Sequence, residues 1–363
     1  MKGRYESGEA PQAEHQIARR LDWEGPLATA KLIGAALVLA CGAITMHLQD
    51  GSLRDLCGAG WRIGAAMLLC AAGRTAMISW MRWSRRIPSV SSFLGHRFRR
   101  LAPVHLISLA IVAGTVSTYS LMGMPEQADG TGLALNIVPI WPNVFAAENN
   151  PSWFILQAVI IGSILTPVVS VIGGGPMRVV GMAIVLAAGS LVPGGTIWSV
   201  PSFLVAAFLM GSLTDRVSGI GSMTRMLVLI GAMVMMSAGQ AMGEFDDLAS
   251  LGSMTTAGGA AMLLLVLPAI PALRMGSRCS DYLYPAIMLT YPIIRFGAIA
   301  GGAIVSVASV LFAAMIVWLT ARLLERPNAK AVLQRAMNEE SGRKALSEHR
   351  FELPYHPEND DTP

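Results

Sequence analysis

The feature that most restricts the fold is a repeated alternation. Apolar runs about as long as a bilayer is thick are separated by short segments that hold most of the charge. A spanning helix needs roughly 20 apolar residues, since each adds about 1.5 Å toward a hydrocarbon core of about 30 Å. Such runs fall near 27–47, 59–81, 101–122, 152–173, 177–193, 196–213, 223–242, 254–273, 281–298 and 300–321. In lipid each backbone N–H and C=O must be satisfied within its own segment, so every run reads as a helix. The chain therefore reads as all-α, a polytopic integral membrane helix bundle of about ten transmembrane helices.

Composition excludes the soluble alternative. Of 363 residues, 53% are hydrophobic and 14% charged, against roughly 25% charged in ordinary soluble domains. A single water-soluble core of this size could not hide so much apolar surface. The pI near 9.0 could point to nucleic acid. However, the basic residues lie in short blocks between apolar runs, as topology signals do, so no nucleic-acid partner is expected. Cys41, Cys57, Cys70 and Cys279 show no CxxC or Cys/His spacing. They suggest neither a metal site nor a disulfide framework, and thiols in apolar segments behave as small hydrophobes. The first twenty-five or so residues are polar, without the short apolar core and small-residue cleavage pattern of a cleaved signal peptide.

Orientation follows from lysine and arginine. With Arg19 and Arg20 in the cytoplasm, the inside segments become 82–100, 174–178, 214–225, 274–278 and the C-terminal tail. These carry "RWSRRIPSVSSFLGHRFRR", Arg178, "TDRVSGIGSMTR", "RMGSR" and "RLLERPNAKAVLQRAMNEESGRK". The outside segments hold Asp50, Asp55, Glu126, Asp129, Glu148 and "GEFDDLASLGS", with only Arg54 and Arg62 basic. That asymmetry predicts an even number of spans with both termini cytoplasmic, in a multi-pass protein of the bacterial inner membrane. Eight spans would satisfy it too; ten is the preferred count. The organisation expected is a cytoplasmic N-terminal segment at 1–25 and a membrane domain at 26–325 with an outer loop at 123–150. A cytoplasmic, partly disordered tail follows at 326–363.

Several constellations could carry chemistry. His47 ends the first run in "LVLACGAITMHLQD". It reads either as an imidazole in the headgroup zone or as a general base at the outer boundary, where its near-neutral pKa suits proton transfer. Arg82, Arg85, Arg86, Arg97, Arg99 and Arg100 cluster with His96. They read as topology signal and lipid-headgroup attraction, or as a site for a phosphorylated donor held by arginine forks. Trp153 in "NNPSWFILQ" reads on its own as an interfacial anchor. Arg74 in "LLCAAGRTAMISW" and Arg295 after "LYPAIMLTYPII" are charges inside spans, functional candidates by default because burying them is costly. Tyr291 with Pro292 invites a local break in the ninth span.

In their order, these pieces resemble the acyltransferase 3 family of bacterial membrane acyltransferases. "FLGHRFRRLAPVHLISL" is similar to the family's arginine-rich start of the third span. "NNPSWFILQ" resembles its asparagine/proline-tryptophan motif, "YLYPAIMLTYPII" its tyrosine-leucine-histidine-proline segment, and "RLLERPNAK" its closing glutamate-x-proline motif. The resemblance runs from about residue 22 to 330. It implies ten spans and a transfer of an acyl group, usually acetyl, from cytoplasmic acyl-coenzyme A as donor substrate. The acceptor would be a hydroxyl of a cell-surface or secreted polysaccharide or its lipid-linked precursor, with polysaccharide biosynthesis proteins as possible partners. By that resemblance Arg97, Arg99 and Arg100 would hold donor phosphates, and Gly73 with Arg74 would line the donor's route. His47 would be the base, with Tyr291 and Glu325 supporting the site and Trp153 and Arg295 contacting substrate.

The chain departs from the family pattern at three places. Eleven residues before His47, where the family carries arginine, stands Ala36, and Lys31 is the nearest cation in that run. Gln157 is nearest to the glutamate that often follows the tryptophan motif. The usual ninth-span histidine aligns with Thr290 or Tyr291. Two other readings stand beside the enzyme: a polytopic transporter or flippase of a small or glycolipid substrate, and a family member that has lost turnover. A transporter would more often show two related halves with broken helices in matching positions, and the sequence shows no such pairing.

Overall fold

A computed structural model describes residues 27–42, 44–45, 51–84, 89–121, 152–172, 176–191, 202–214, 222–242, 248–266 and 283–293. All of them lie within one compact unit, Met1–Val317. Among the described residues the chain is helical and contains no strand. The helices are α1 (Leu27–Gly42), α2 (Ser52–Ser84), α3 (Val90–Leu121), α4 (Ser152–Val169), α5 (Pro176–Leu191), α6 (Ser202–Leu213), α7 (Ser222–Met242), α8 (Ala249–Val266) and α9 (Leu283–Ile293). Among the described residues, three segments are long and apolar enough to cross a membrane: Ser52–Ser84, Leu101–Thr118 within α3, and Ser222–Met242. Five further apolar helices are shorter. His47, Glu325, Arg295, the 123–150 loop, the run at 300–321 and both terminal segments lie outside the described residues.

Local chemistry sets the helix limits. Gly51 begins α2 at φ 122°, a conformation that favours glycine, and its carbonyl accepts from Arg54 N at 2.9 Å. Asp55 in the first turn and Arg82 in the last complement the helix dipole. Ser89 caps α3: its side-chain oxygen accepts from Ser92 N at 3.3 Å, and its carbonyl from Phe93 N at 3.2 Å. As a result the basic block expected as a loop is mostly helix, and α3 carries "SSFLGHRFRR" as its first turns. Pro103 within α3 and Pro167 within α4 each remove one ladder bond, which packed membrane helices tolerate.

The core sits around α2. Its residues from Gly64 to Ala71 are all buried, together with Gly73, Arg74, Ala76, Met77 and Trp80. α1 runs antiparallel to it, since Gly34 meets Gly64 and Leu68 while Cys41 meets Gly60. A Cβ on Gly34 would fall 2.7 Å from the Gly64 carbonyl oxygen, so glycine is what lets these two backbones touch. α6 runs parallel to α2: Cys70 Sγ donates to the Ala207 carbonyl at 3.0 Å, and further along Ser212 Oγ donates to the Gly73 carbonyl at 3.2 Å. α4 is parallel to both, with Gly162 against the Phe208 ring and Ser170 bonded to Trp80. α7 and α8 form an antiparallel pair in which Gly239 approaches Gly252 and Gly259 approaches Ala232. The sequence neighbours α1 and α2, and α7 and α8, thus run oppositely, while α2, α4 and α6 run together, as in a chain that crosses one slab repeatedly.

The outer flanks agree with this packing. α7 exposes Met223, Met226, Leu227, Ile230, Met233 and Val234, and α5 exposes Met177, Val179, Val180 and Ile184. A soluble protein does not present apolar faces of this extent to water, whereas lipid accepts them without cost.

Candidate functional site

Two clusters stand at different levels along α3 and α4. The first joins the C-terminal end of α2 to the start of α3. Trp80 and Phe93 meet edge to face at 5.2 Å between ring centres, and both are buried. The Trp80 indole donates to Ser170 Oγ at 2.8 Å, which ties the end of α4 into the cluster. One layer outward, Trp83 stacks on His96 at 5.3 Å and 29°. Arg97 lies over the Phe93 ring with its guanidinium carbon 5.7 Å from the centroid, a cation–π distance. Arg99, two residues further on, is exposed, and Arg100 continues the same helix. This end therefore presents cations mounted on a rigid aromatic base, and can bind anionic groups.

The second cluster lies deeper along α3. Ser108 Oγ donates to the Met288 carbonyl of α9 at 3.0 Å and accepts from the Trp153 indole of α4 at 3.1 Å. His105, one turn back on α3 and 3% exposed, meets Trp153 edge to face at 5.8 Å. Gln157, one turn on from Trp153, is also buried. Across α9 from Met288, the buried Tyr291 hydroxyl donates to the Val38 carbonyl of α1 at 2.5 Å, and its ring tip fills the space left by Gly42. Two hydroxyls and an indole thus fasten α3 to both α9 and α4, and α1 to α9. Each such bond satisfies a polar group that would otherwise be costly in an apolar interior. Arg97 and Ser108 are eleven residues apart on α3, roughly 16 Å at the helical rise.

Arg74 has a different setting. Its guanidinium Nη1 donates to the Thr214 carbonyl at 2.5 Å, where α6 ends. Thr214 N bonds Met210 O, and Thr214 Oγ1 donates to Gly211 O at 2.6 Å, so the α6 terminus is closed by its own threonine and by an arginine from α2. A cation at the C-terminal carbonyls of a helix opposes the negative end of its dipole. The mid-span charge is thereby explained by packing. Gly73 beside it faces the Phe208 main chain in the α2–α6 seam, where a Cβ would meet backbone.

The structure thus brings Arg97 and Arg99 to one end, and Trp153 and Tyr291 to the other cluster, with Arg74 between α2 and α6. Trp153 differs from an interfacial anchor, being 2% exposed and hydrogen-bonded inside the bundle. The residue that sequence reasoning passed over is His105. It sits in the apolar stretch "APVHLISL", and its signal was Ser108 at i+3, one helical turn away on the same face. Among the described residues, no group of three or more His, Cys, Asp or Glu side chains could hold a metal ion. Comparison with protein-family models, with curated proteins and with solved structures gives no match.

Proposed function

We propose that the chain is a multi-pass inner-membrane O-acyltransferase. It takes an acyl group, acetyl in the first instance, from acyl-coenzyme A at the cytoplasmic face. It delivers that group to a hydroxyl of a surface or secreted polysaccharide, or of its lipid-linked precursor, at the outer face. The observation that carries this reading is the pairing of an arginine–aromatic cluster at one end of α3 with a buried, hydrogen-bonded polar junction farther along it. The alternation of helix directions and the resemblance of the ordered motifs support the same reading.

In this scheme Arg97, Arg99 and Arg100 bind the donor's phosphates, for which guanidinium forks are well shaped. Trp80 and Phe93 hold the start of α3 against α2 and so fix where those cations stand. At the far end His47 takes the proton from the acceptor hydroxyl. The alkoxide oxygen attacks the thioester carbonyl, the tetrahedral centre collapses, the carbon–sulfur bond breaks, and the coenzyme A thiolate leaves and is protonated. Tyr291 positions the end of α1 through its bond to Val38, four residues before the end of α1 at Gly42 on the way to His47. Arg74 acts by holding α6 to α2. Trp153 and His105 shape the interior beside the acceptor, and Glu325 and Arg295 complete the site according to the resemblance.

The test is chemical. Deleting the gene should remove ester-linked acetyl groups from one of the host's surface glycans, measured by base-labile acetate release and by NMR of the purified glycan. Restoring the gene should restore them. Unchanged acylation of every surface glycan would contradict the substrate class. Movement of an unmodified substrate across vesicles carrying the purified protein would favour the transporter instead.

A further inference from the structure

The described cysteines are free in this structure, but two of them are neighbours. Cys41 lies in the last turn of α1 and Cys57 in the second turn of α2. The antiparallel register sets Leu37 against Gly64 and Cys41 against Gly60. The Cys41 sulfur lies 2.5 Å from where a Cβ on Gly60 would be, so it occupies the notch that the glycine leaves. Cys57 precedes Gly60 by three residues, which puts its side chain on the same face of α2, one turn toward the α1–α2 connection. The two thiols are therefore neighbours in the α1–α2 seam, within electrostatic reach of one another. Cys57 is buried and Cys41 half-buried, so Cys41 is the more accessible of the pair.

We propose that Cys41 and Cys57 form a reversible disulfide that ties the outer end of α1 to α2. The oxidant is a disulfide, either a small molecule or a protein of the outer compartment. One cysteine thiolate attacks a sulfur of that disulfide, whose S–S bond breaks and whose departing thiolate takes up a proton. The second cysteine attacks the mixed disulfide, forming the Cys41–Cys57 bond and releasing the second thiol. Two protein thiols are oxidised and one external disulfide is reduced to two thiols. The close helix approach allowed by Gly34, Gly60 and Gly64 is what such a bond requires, because its Cα atoms must lie within about 7 Å. The bond closes a short loop whose first residues include His47, so it restrains the segment that carries the proposed base. Its occurrence in the cell rests on the reading that this connection faces the outer compartment; the chemistry of the pair does not.

Trypsin separates the two cysteines, since Lys31, Arg54 and Arg62 bracket residues 32–54 and 55–62. Purified full-length protein is treated with oxidised glutathione, alkylated without reductant, digested and examined by mass spectrometry. A linked 32–54/55–62 pair that disappears on prior reduction is the result expected. The midpoint of thermal unfolding should also fall by at least ~3 °C on reduction. That fall should persist when Cys70 and Cys279 are replaced by alanine and vanish in Cys41→Ser. Separate alkylation of both peptides, or linkage of either to Cys70 or Cys279, would overturn the proposal. Labelling Ser52→Cys in intact cells with a membrane-impermeant maleimide tests the compartment separately. Labelling there with no linked pair would sink the disulfide alone, and a linked pair in purified protein without that labelling would sink the orientation.

Discussion

The start of α3 and its middle treat polar chemistry in opposite ways. At its start, Arg97 stands on the Phe93 ring, His96 stacks on Trp83, and Arg99 nearby is exposed. Some 16 Å further along, Ser108, Trp153 and Tyr291 each turn a donor inward onto another helix. The first arrangement costs the fold little and leaves cations available for a ligand. The second contributes to the fold and leaves those groups already committed. A polar residue in a membrane bundle can therefore mark either a binding surface or a fastening, and only its partners tell which.

That contrast can be broken or sharpened by substitution. The largest effect should come from Trp153→Ala, which leaves a large void and removes the indole bond to Ser108; destabilisation of about 3–5 kcal/mol is expected in thermal or denaturant unfolding in detergent. A change under 1 kcal/mol would mean that the deep junction is not a fastening. Arg74→Met keeps most of the volume but leaves the Thr214 carbonyl without its charged donor. It should cost about 1.5–3 kcal/mol, with any loss of turnover tracking the loss of folded protein. Tyr291→Phe removes one hydroxyl bond between α9 and α1 and should cost about 1 kcal/mol. Arg97→Gln, at the start of α3, should change stability by less than about 0.5 kcal/mol. It should nevertheless raise the KM for acyl-coenzyme A about tenfold, the equivalent of one charge-assisted contact. A large stability loss in Arg97→Gln with unchanged KM would reverse the assignment of that end.

Much of the helical plan was legible in the sequence, because hydrophobic run length reports directly on what a bilayer demands. The limits of α7, expected near 223–242 and found at Ser222–Met242, show how well that signal works when polar segments flank it. It works less well where a cap lies inside a charged block. Ser89 starts α3 about twelve residues before the apolar run begins, since arginines extend a helix as readily as leucines do. Depth and partnership were not legible. Arg74 was read as functional because it is charged and mid-span, yet its partner is a main-chain carbonyl at the end of α6, which no residue type announces. Trp153 was read as an anchor because it opens a span, and hydropathy does not reveal that α4 begins level with Ser108. His105 was hidden by its apolar neighbours, and pairing it with Trp153 required the fold.

The account rests on a division of labour in which the arginine end binds the donor and His47 at the far end performs proton transfer. The most direct test is acetyl-coenzyme A turnover by purified protein in proteoliposomes, run beside coenzyme A binding, for wild type and His47→Ala. The account predicts that wild type consumes the donor, and that His47→Ala binds coenzyme A with unchanged affinity while turning over at background. Full turnover in His47→Ala would contradict it.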